Sequence, residues 1–193
     1  MRKPQPETVR ELIYFAYANL AMAHTAVDRK QEKYGAFNFM IRAKLFKGLK
    51  DGTMNMRTMF DDEKIKLQTG QMCNYCGSAK NLALDHIFPR KYGGQDNAEN
   101  LILVCKTCNC SKGKKDLMEW MSLRGQFLPL MLIRRYLKLT FNYCNDHGLL
   151  DIKTEDLKRL ELPFKIGFIP TDYPNPNELM MNVNDKMSSS TPC

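Results

Sequence analysis

The chain has 193 residues, of which 44% are hydrophobic and 26% are charged. This composition excludes a wholly disordered protein and is typical of one soluble domain with extensions, large enough to bury a core. The 29 Lys and Arg residues outnumber the 21 Asp and Glu residues, so the formal net charge is +8. Such a surplus favours polyanionic partners such as nucleic acid, although many basic proteins bind none.

The N-terminal region has the outline of a secretory signal, because basic residues precede an apolar run at residues 12–23. Prolines and acidic residues separate the basic start from that run, however, and the apolar side chains fall on one face of a continuous helix. We therefore predict a helix that faces the protein core. No other stretch approaches the length of a transmembrane helix, so we expect no membrane partner.

Hydrophobic periodicity divides the chain into two helical regions around a central mixed region, with a tail at the end. The tail is rich in Pro, Asn, Met and Ser, a composition typical of disorder. The four regions are residues 1–69, 70–123, 124–169 and 170–193. The helices predicted in the two flanks span about residues 6–34, 36–50, 55–68, 129–147 and 154–160.

The central region alternates short apolar runs with glycine-rich loops. Short apolar runs bounded by turn residues predict strands at residues 82–87 and 101–104, with a Gly93-Gly94 loop between them. A helix is predicted to follow at residues 106–123. The predicted order is therefore strand, loop, strand, helix.

The chain has seven cysteines, and four of them form two Cys-x-x-Cys pairs, Cys73 with Cys76 and Cys105 with Cys108. An odd number with paired spacings favours metal ligation in a reducing compartment over a disulfide framework, so we expect a cytoplasmic protein. Four thiolates fill a tetrahedral shell and leave no position for water. The pairs therefore predict one structural Zn²⁺, with Cys110 as a neighbour of the site and not a ligand.

Several polar residues and a glycine pair lie between and just after the two cysteine pairs. In chain order they are Asp85-His86, Gly93-Gly94, Asn97, Asn100, Asn109 and Lys112. Together with the paired cysteines, this order resembles the HNH endonuclease family, the branch of the ββα-metal (His-Me finger) nucleases that has a structural zinc held by four cysteines. The resemblance covers about residues 70–120.

The resemblance implies a ββα-metal (HNH) core with a four-cysteine zinc. Together with the helices predicted in the flanks, it leads us to expect an α+β, mostly helical fold, in which this core is flanked by N- and C-terminal helices. It also implies a metal-dependent endonuclease that hydrolyses phosphodiester bonds in DNA. His86 is then the general base, and Asp85 and Asn109 are ligands of one catalytic Mg²⁺ or Mn²⁺. Asn100 is the residue that braces the loop and helps to orient His86. Asn109 stands where many members of the family have His, which is a common variant.

Elementary chemistry supports these roles independently of the resemblance. Phosphodiester hydrolysis needs a deprotonated water and stabilisation of charge on the phosphoryl and leaving oxygens. Histidine accepts a proton near neutral pH, and carboxylate and amide oxygens suit Mg²⁺ or Mn²⁺. Each residue alone has a simpler structural explanation, such as a turn amide or a strand histidine. Their combined order between two cysteine pairs favours catalysis.

Three lysines beside Asn109 are candidates for contact with backbone phosphates: Lys112, Lys114 and Lys115. A solvated helix face explains them equally well. A weaker candidate for the same track is a basic set on a later helix, Arg134, Arg135 and Lys138.

Other functions remain open at this point. One is a zinc-stapled DNA-binding module without catalysis, which would not need Asp85, His86 or Asn109. Another is a nuclease subunit that is active only with a protein partner, in an antiviral defence or restriction assembly. RNA also stays open as a substrate.

Overall fold

The computed structural model of the chain describes residues 5–56, 71–157 and 159–179. Helices are α1 (Val9–Asp28), α2 (Ala36–Lys50), α3 (Lys106–Lys112), α4 (Leu117–Leu123), α5 (Leu130–Asp146) and α6 (Thr154–Leu157). Strands are β1 (Leu82–His86) and β2 (Leu101–Cys105), and short 3-10 turns lie at Arg90–Tyr92 and Ile166–Phe168. The α+β, mostly helical class is confirmed. Across the described ranges, every helix is too short or too polar to cross a lipid bilayer.

Helix α1 begins at a capped position and is shorter than predicted. Thr8 caps α1 by accepting a hydrogen bond from the backbone N–H of Glu11 at 3.2 Å. The prediction that this helix continues to residue 34 was wrong: α1 ends at Asp28, and Lys30 adopts a left-handed backbone with φ 54°. The predicted bounds of α2 are confirmed. The third helix predicted in this region, at residues 55–68, lies almost entirely outside the described residues.

The central region contains an antiparallel hairpin followed by two short helices. Leu82 of β1 lies opposite Cys105 of β2, and His86 lies opposite Leu101. The single helix predicted over residues 106–123 was wrong, because Gly113 adopts a positive φ of 53° that ends α3. A new helix, α4, then begins behind Asp116, whose carboxylate accepts from the backbone N–H of Glu119 at 2.9 Å.

Helix α5 lies at the centre of the fold, and its Ile133, Tyr136 and Leu137 have no exposed surface. It packs against α1, where the rings of Tyr14 and Phe141 stack with centroids 5.7 Å apart. Its bounds differ from the predicted ones only at the two cap residues, whereas α6 is shorter than predicted.

The start of the tail predicted as disordered contacts the body of the protein. The hydroxyl of Tyr34 donates to the carbonyl oxygen of Pro174 at 2.8 Å, and Leu179 is 6% exposed. The disorder prediction is therefore wrong for residues 171–179, because apolar side chains of this segment pack against the rest of the protein.

Helix α5 also fixes the position of the hairpin loop. The ring of Phe88 packs edge-on against Tyr136, with centroids 5.4 Å apart. Arg135 donates from Nε to the carbonyl oxygen of Glu99 at 2.6 Å and also reaches the carbonyl of Ala98. Arg135 and Lys138 are 5% and 3% exposed, so their proposed place in a solvent-facing basic track is wrong.

Candidate functional site

The four paired cysteines meet where β2 runs into α3. Cys73 and Cys76 lie in a turn before β1, Cys105 ends β2 and Cys108 lies in the first turn of α3. Their Sγ atoms all lie within 4.8 Å of one another, and those of Cys76 and Cys105 are 3.7 Å apart. A tetrahedral ion with Zn–S bonds of about 2.3 Å separates its sulfurs by about 3.8 Å. The cluster is therefore compatible with a zinc site.

Backbone hydrogen bonds hold the first cysteine pair on the hairpin. The N–H of Cys73 donates to the carbonyl of Ser78 at 2.8 Å, and the N–H of Asn74 donates to the carbonyl of Leu103 on β2 at 2.9 Å. Burial raises the pKa of the Cys76 thiol to about 11 and that of Cys108 further. A cation among the sulfurs removes this penalty, because it stabilises the thiolate form.

The Asp85 carboxylate is buried and forms an ion pair with Lys112. The Lys112 ammonium is 3.1 Å from its Oδ2, and the hydroxyl of Tyr75 donates to the same oxygen at 2.8 Å. Lys112 also donates to the carbonyl oxygen of His86 at 2.7 Å. Burial lowers the pKa of Lys112, and the charge of Asp85 opposes that change. The pair connects α3 to the end of β1.

The burial of Lys112 departs from the role predicted for it. Its side chain is 1% exposed, so the solvent-facing phosphate contact expected from the sequence does not fit this position. Lys112 is buried because its ammonium pairs with the buried Asp85 carboxylate. Without Lys112, that carboxylate would be an unpaired charge in the protein interior. Lys114 and Lys115 are exposed, as phosphate contact requires, and they border a cavity of about 730 Å³ together with Tyr92.

His86 faces the other side of the strand from Asp85, as the alternation of strand side chains requires. Its side chain is 23% exposed, and its Nε2 lies 2.9 Å from Oδ1 of Asp96. Asp96 was not among the residues predicted for the site. Its only sequence signal is its place just after Gly93-Gly94, because a contact across the loop leaves no local pattern.

Asn100 ties the two sides of the hairpin loop together. Its Oδ1 accepts from the N–H of Phe88 at 2.7 Å, and its Nδ2 donates to the carbonyls of Phe88 and Gln95 at 3.0 and 2.8 Å. Gly94 is required for this closure, since a Cβ there would lie 2.0 Å from the carbonyl oxygen of Phe88. Asn100 thus acts on the backbone of the loop that contains Asp96.

Asn109 lies on α3 beside β1, and its Nδ2 is 3.4 Å from the carbonyl oxygen of Leu84. Asp85 and Asn109 offer a carboxylate and an amide oxygen, which are donors that hard divalent ions prefer. The donor chemistry therefore fits such an ion. The Lys112 ammonium already neutralises the carboxylate, however, so an ion can bind Asp85 only if that contact opens or is shared.

Comparison with known proteins agrees with this arrangement. Residues 73–115 match the family model described as HNH endonuclease. The chain is also similar to the CRISPR-associated endonuclease Cas9 of Corynebacterium diphtheriae, with 29% identity over 126 residues, which is 61% of this chain and 11% of that protein. The chain thus spans about a tenth of the length of the curated relative it matches. No solved structure gives a significant match.

The matched residues begin at the first cysteine of the cluster and end at Lys115, so they contain the hairpin, the loop and α3. Asp85, His86, Asn100 and Asn109 all lie inside this range. The family resemblance read from the sequence is confirmed: residues 73–115 are a domain of the HNH endonuclease family.

Proposed function

We propose that this chain is a metal-dependent DNA endonuclease in which His86 is the general base. The observation that carries the proposal is the position of His86 within the HNH domain. It lies at the loop end of the hairpin, opposite Leu101, and is partly exposed. One ring nitrogen is bound to Asp96, which holds the ring in one orientation. An imidazole with these properties can take a proton from water near neutral pH.

The two metal sites have separate tasks in this proposal. The four cysteines hold a structural Zn²⁺ that joins the turn before β1 to the start of α3, and so places Asn109. Asp85 and Asn109 hold one Mg²⁺ or Mn²⁺. A divalent ion there supplies charge stabilisation for the phosphoryl and leaving oxygens.

The residues of the chain then divide the remaining work. Lys112 pairs with the Asp85 carboxylate in the interior and so holds it in place. Asn100 holds the loop closed behind His86. The exposed Lys114 and Lys115 hold backbone phosphates of the DNA, and positive charge at such contacts supplies affinity without sequence preference.

The similar Cas9 protein of Corynebacterium diphtheriae is a CRISPR-associated endonuclease. On that basis we propose a role for this chain as a cytoplasmic nuclease in antiviral defence or restriction, alone or with a protein partner.

One observation favours a second function, a zinc-stapled DNA-binding module without catalysis. The Asp85 carboxylate already has a cation, the Lys112 ammonium, and a hydrogen bond from Tyr75. A carboxylate with a purely structural task would have partners of this kind. The exposed lysines would serve such a module equally well.

Purified protein incubated with supercoiled plasmid, single-stranded DNA and RNA separates the two functions. We expect plasmid to be nicked or linearised with Mg²⁺ or Mn²⁺ and to stay intact with EDTA. Plasmid that is bound but never cut would favour the binding module. Cleavage of RNA alone would contradict the proposed substrate.

A further inference from the structure

The His86 ring contacts the carboxylate of Asp96, a residue that is neither the base nor a metal ligand in the function proposed above. Oδ1 of Asp96 lies 2.9 Å from Nε2 of His86. An ionised carboxylate can only accept hydrogen bonds, so the hydrogen between the two atoms belongs to Nε2. In the neutral ring the lone pair is then on Nδ1.

We propose that Asp96 is a positioning residue that holds the proton of neutral His86 on Nε2 and leaves Nδ1 as the basic nitrogen. The inference rests on the proposed role of His86 as general base. In that role, Nδ1 takes the proton as the O–H bond of water breaks, and the hydroxide oxygen bonds to phosphorus as the bond to the leaving oxygen breaks. The leaving oxygen takes its proton from solvent.

Hydrogen bonds within the loop hold the backbone on both sides of Asp96 in place. The carbonyl of Gln95, on one side, accepts from the Asn100 amide at 2.8 Å. On the other side, Oδ1 of Asn97 accepts from the backbone N–H of Asn100 at 3.0 Å. The N–H of Gly94 donates to the carbonyl of Pro89 at 3.1 Å, which folds the loop back toward β1. Both neighbours of Asp96 are therefore fixed, and its side chain reaches the ring from a braced backbone.

Stability does not explain the contact. The Asp96 side chain is 61% exposed, and an exposed pair of this kind contributes little to folding. A carboxylate that accepts from the second nitrogen of an imidazole fixes its tautomer and orientation. For histidines that bind metals, loss of such a partner typically lowers affinity or activity about 10–100-fold, and we expect an effect of that order for a histidine base.

The test compares Asp96→Ala with a matched control, Glu99→Gln, which also removes one negative charge from the loop. The first readout is single-turnover cleavage of plasmid with Mn²⁺, with DNA binding measured separately. We expect Asp96→Ala to lower the cleavage rate about 10–100-fold with unchanged DNA affinity. Glu99→Gln should cleave like the parent. In a His86→Ala background, Asp96→Ala should cause no further loss, because the two residues act as a unit.

The second readout is nitrogen-15 NMR of the imidazole rings at alkaline pH, where imidazoles are neutral. The chain has only three histidines, so His86 can be assigned by substitution. In the parent and in Glu99→Gln, the His86 ring should have a protected, downfield proton on Nε2 that disappears in Asp96→Ala.

Three results would overturn the proposal: parental cleavage by Asp96→Ala, an additional loss in the His86→Ala background, or recovery of Asp96→Ala when Mn²⁺ is raised. The last result would make Asp96 a metal ligand. If the parent cleaves no substrate, the proposed function fails by itself. The tautomer claim is then decided by the ring proton, whose persistence in Asp96→Ala would refute it.

Discussion

The Lys112 ammonium lies 3.1 Å from Oδ2 of Asp85, and the two side chains are 1% and 8% exposed. This pair connects α3 to β1 at the level of the proposed active site. The carboxylate that Lys112 neutralises is also the one proposed to hold a divalent ion. An ion at the proposed site would therefore compete with the Lys112 ammonium for Asp85 or share the carboxylate with it.

Removal of Lys112 should make the stability of the protein depend on divalent ions. Lys112→Ala leaves Asp85 buried without a counter-charge, a change that typically costs about 3–5 kcal/mol of unfolding free energy. In EDTA we expect a loss of that order by urea denaturation, and Mn²⁺ should restore more stability to the variant than to the parent. Lys115→Ala, at an exposed lysine nearby, is the control and should change little. A Lys112→Ala protein as stable as the parent in EDTA would contradict the importance of the pair.

The cysteine cluster should hold one zinc ion per chain. Cys105→Ser removes one of four thiolates, and zinc binding supplies about 10–16 kcal/mol of apparent folding energy in small zinc-finger peptides. We expect metal analysis to find less than one zinc per Cys105→Ser chain, together with a lower melting temperature. Cys110→Ser, at an exposed cysteine outside the cluster, should keep both at the parental values. Parent protein without zinc would refute the site.

Lys114 and Lys115 should set the salt dependence of DNA binding. If each holds one duplex phosphate, replacing both with Ala should flatten the slope of log affinity against log salt by about 0.9 per contact. The matched control replaces Lys44 and Lys47, exposed lysines of α2, and should leave the slope unchanged. The opposite pattern would locate the DNA track on α2.

The partly buried His24 should make the protein less stable in mild acid. Burial lowers the pKa of His24 below its ordinary value of 6.5, the charge of Arg134 acts in the same direction, and that of Asp28 opposes it. The folded protein therefore binds this proton less tightly than the unfolded chain. The stability associated with neutral His24 is complete above pH 6.5 and is lost as the pH falls below that value.

His24→Gln isolates this effect. From about pH 8 to about pH 5, the unfolding free energy of the parent should fall relative to that of the variant, by at most about 1.4 kcal/mol per pH unit. Urea denaturation at several pH values measures the difference. A difference that does not change with pH would mean that His24 has the same proton affinity in both states.

Local patterns predicted most elements of the fold, because helix periodicity, strand length and cap residues act over a few positions. Gly113 shows the limit: the apolar pattern runs through it, and only its positive φ and the cap at Asp116 divide the helix. The disorder prediction for the tail failed because composition does not show which segments contact the rest of the fold. The composition of the tail is that of a disordered segment, but Tyr34 and the surface around it give residues 171–179 a place to bind.

The candidate site was predictable where the family motif supplied it, and not where a contact is long-range. A run of lysines normally faces solvent, so the lysine pattern itself did not predict that Lys112 is buried. Its burial is explained by the ion pair with the buried Asp85 carboxylate. The Asp96 contact with His86 depends on the closure of a loop by Asn100 and Gly94, which no spacing rule describes. Both contacts link residues that are separated along the chain.

The single-turnover rate of plasmid cleavage by His86→Ala tests the central claim most directly. If His86 is the general base, the rate should fall by at least about 10²–10⁴-fold, while zinc content and DNA affinity stay at the parental values. His147→Ala, at an exposed histidine of the α5 terminus, should cleave like the parent. Cleavage by His86→Ala at the parental rate, or its recovery with added Mn²⁺ as readily as that of Asp85→Ala, would contradict the account.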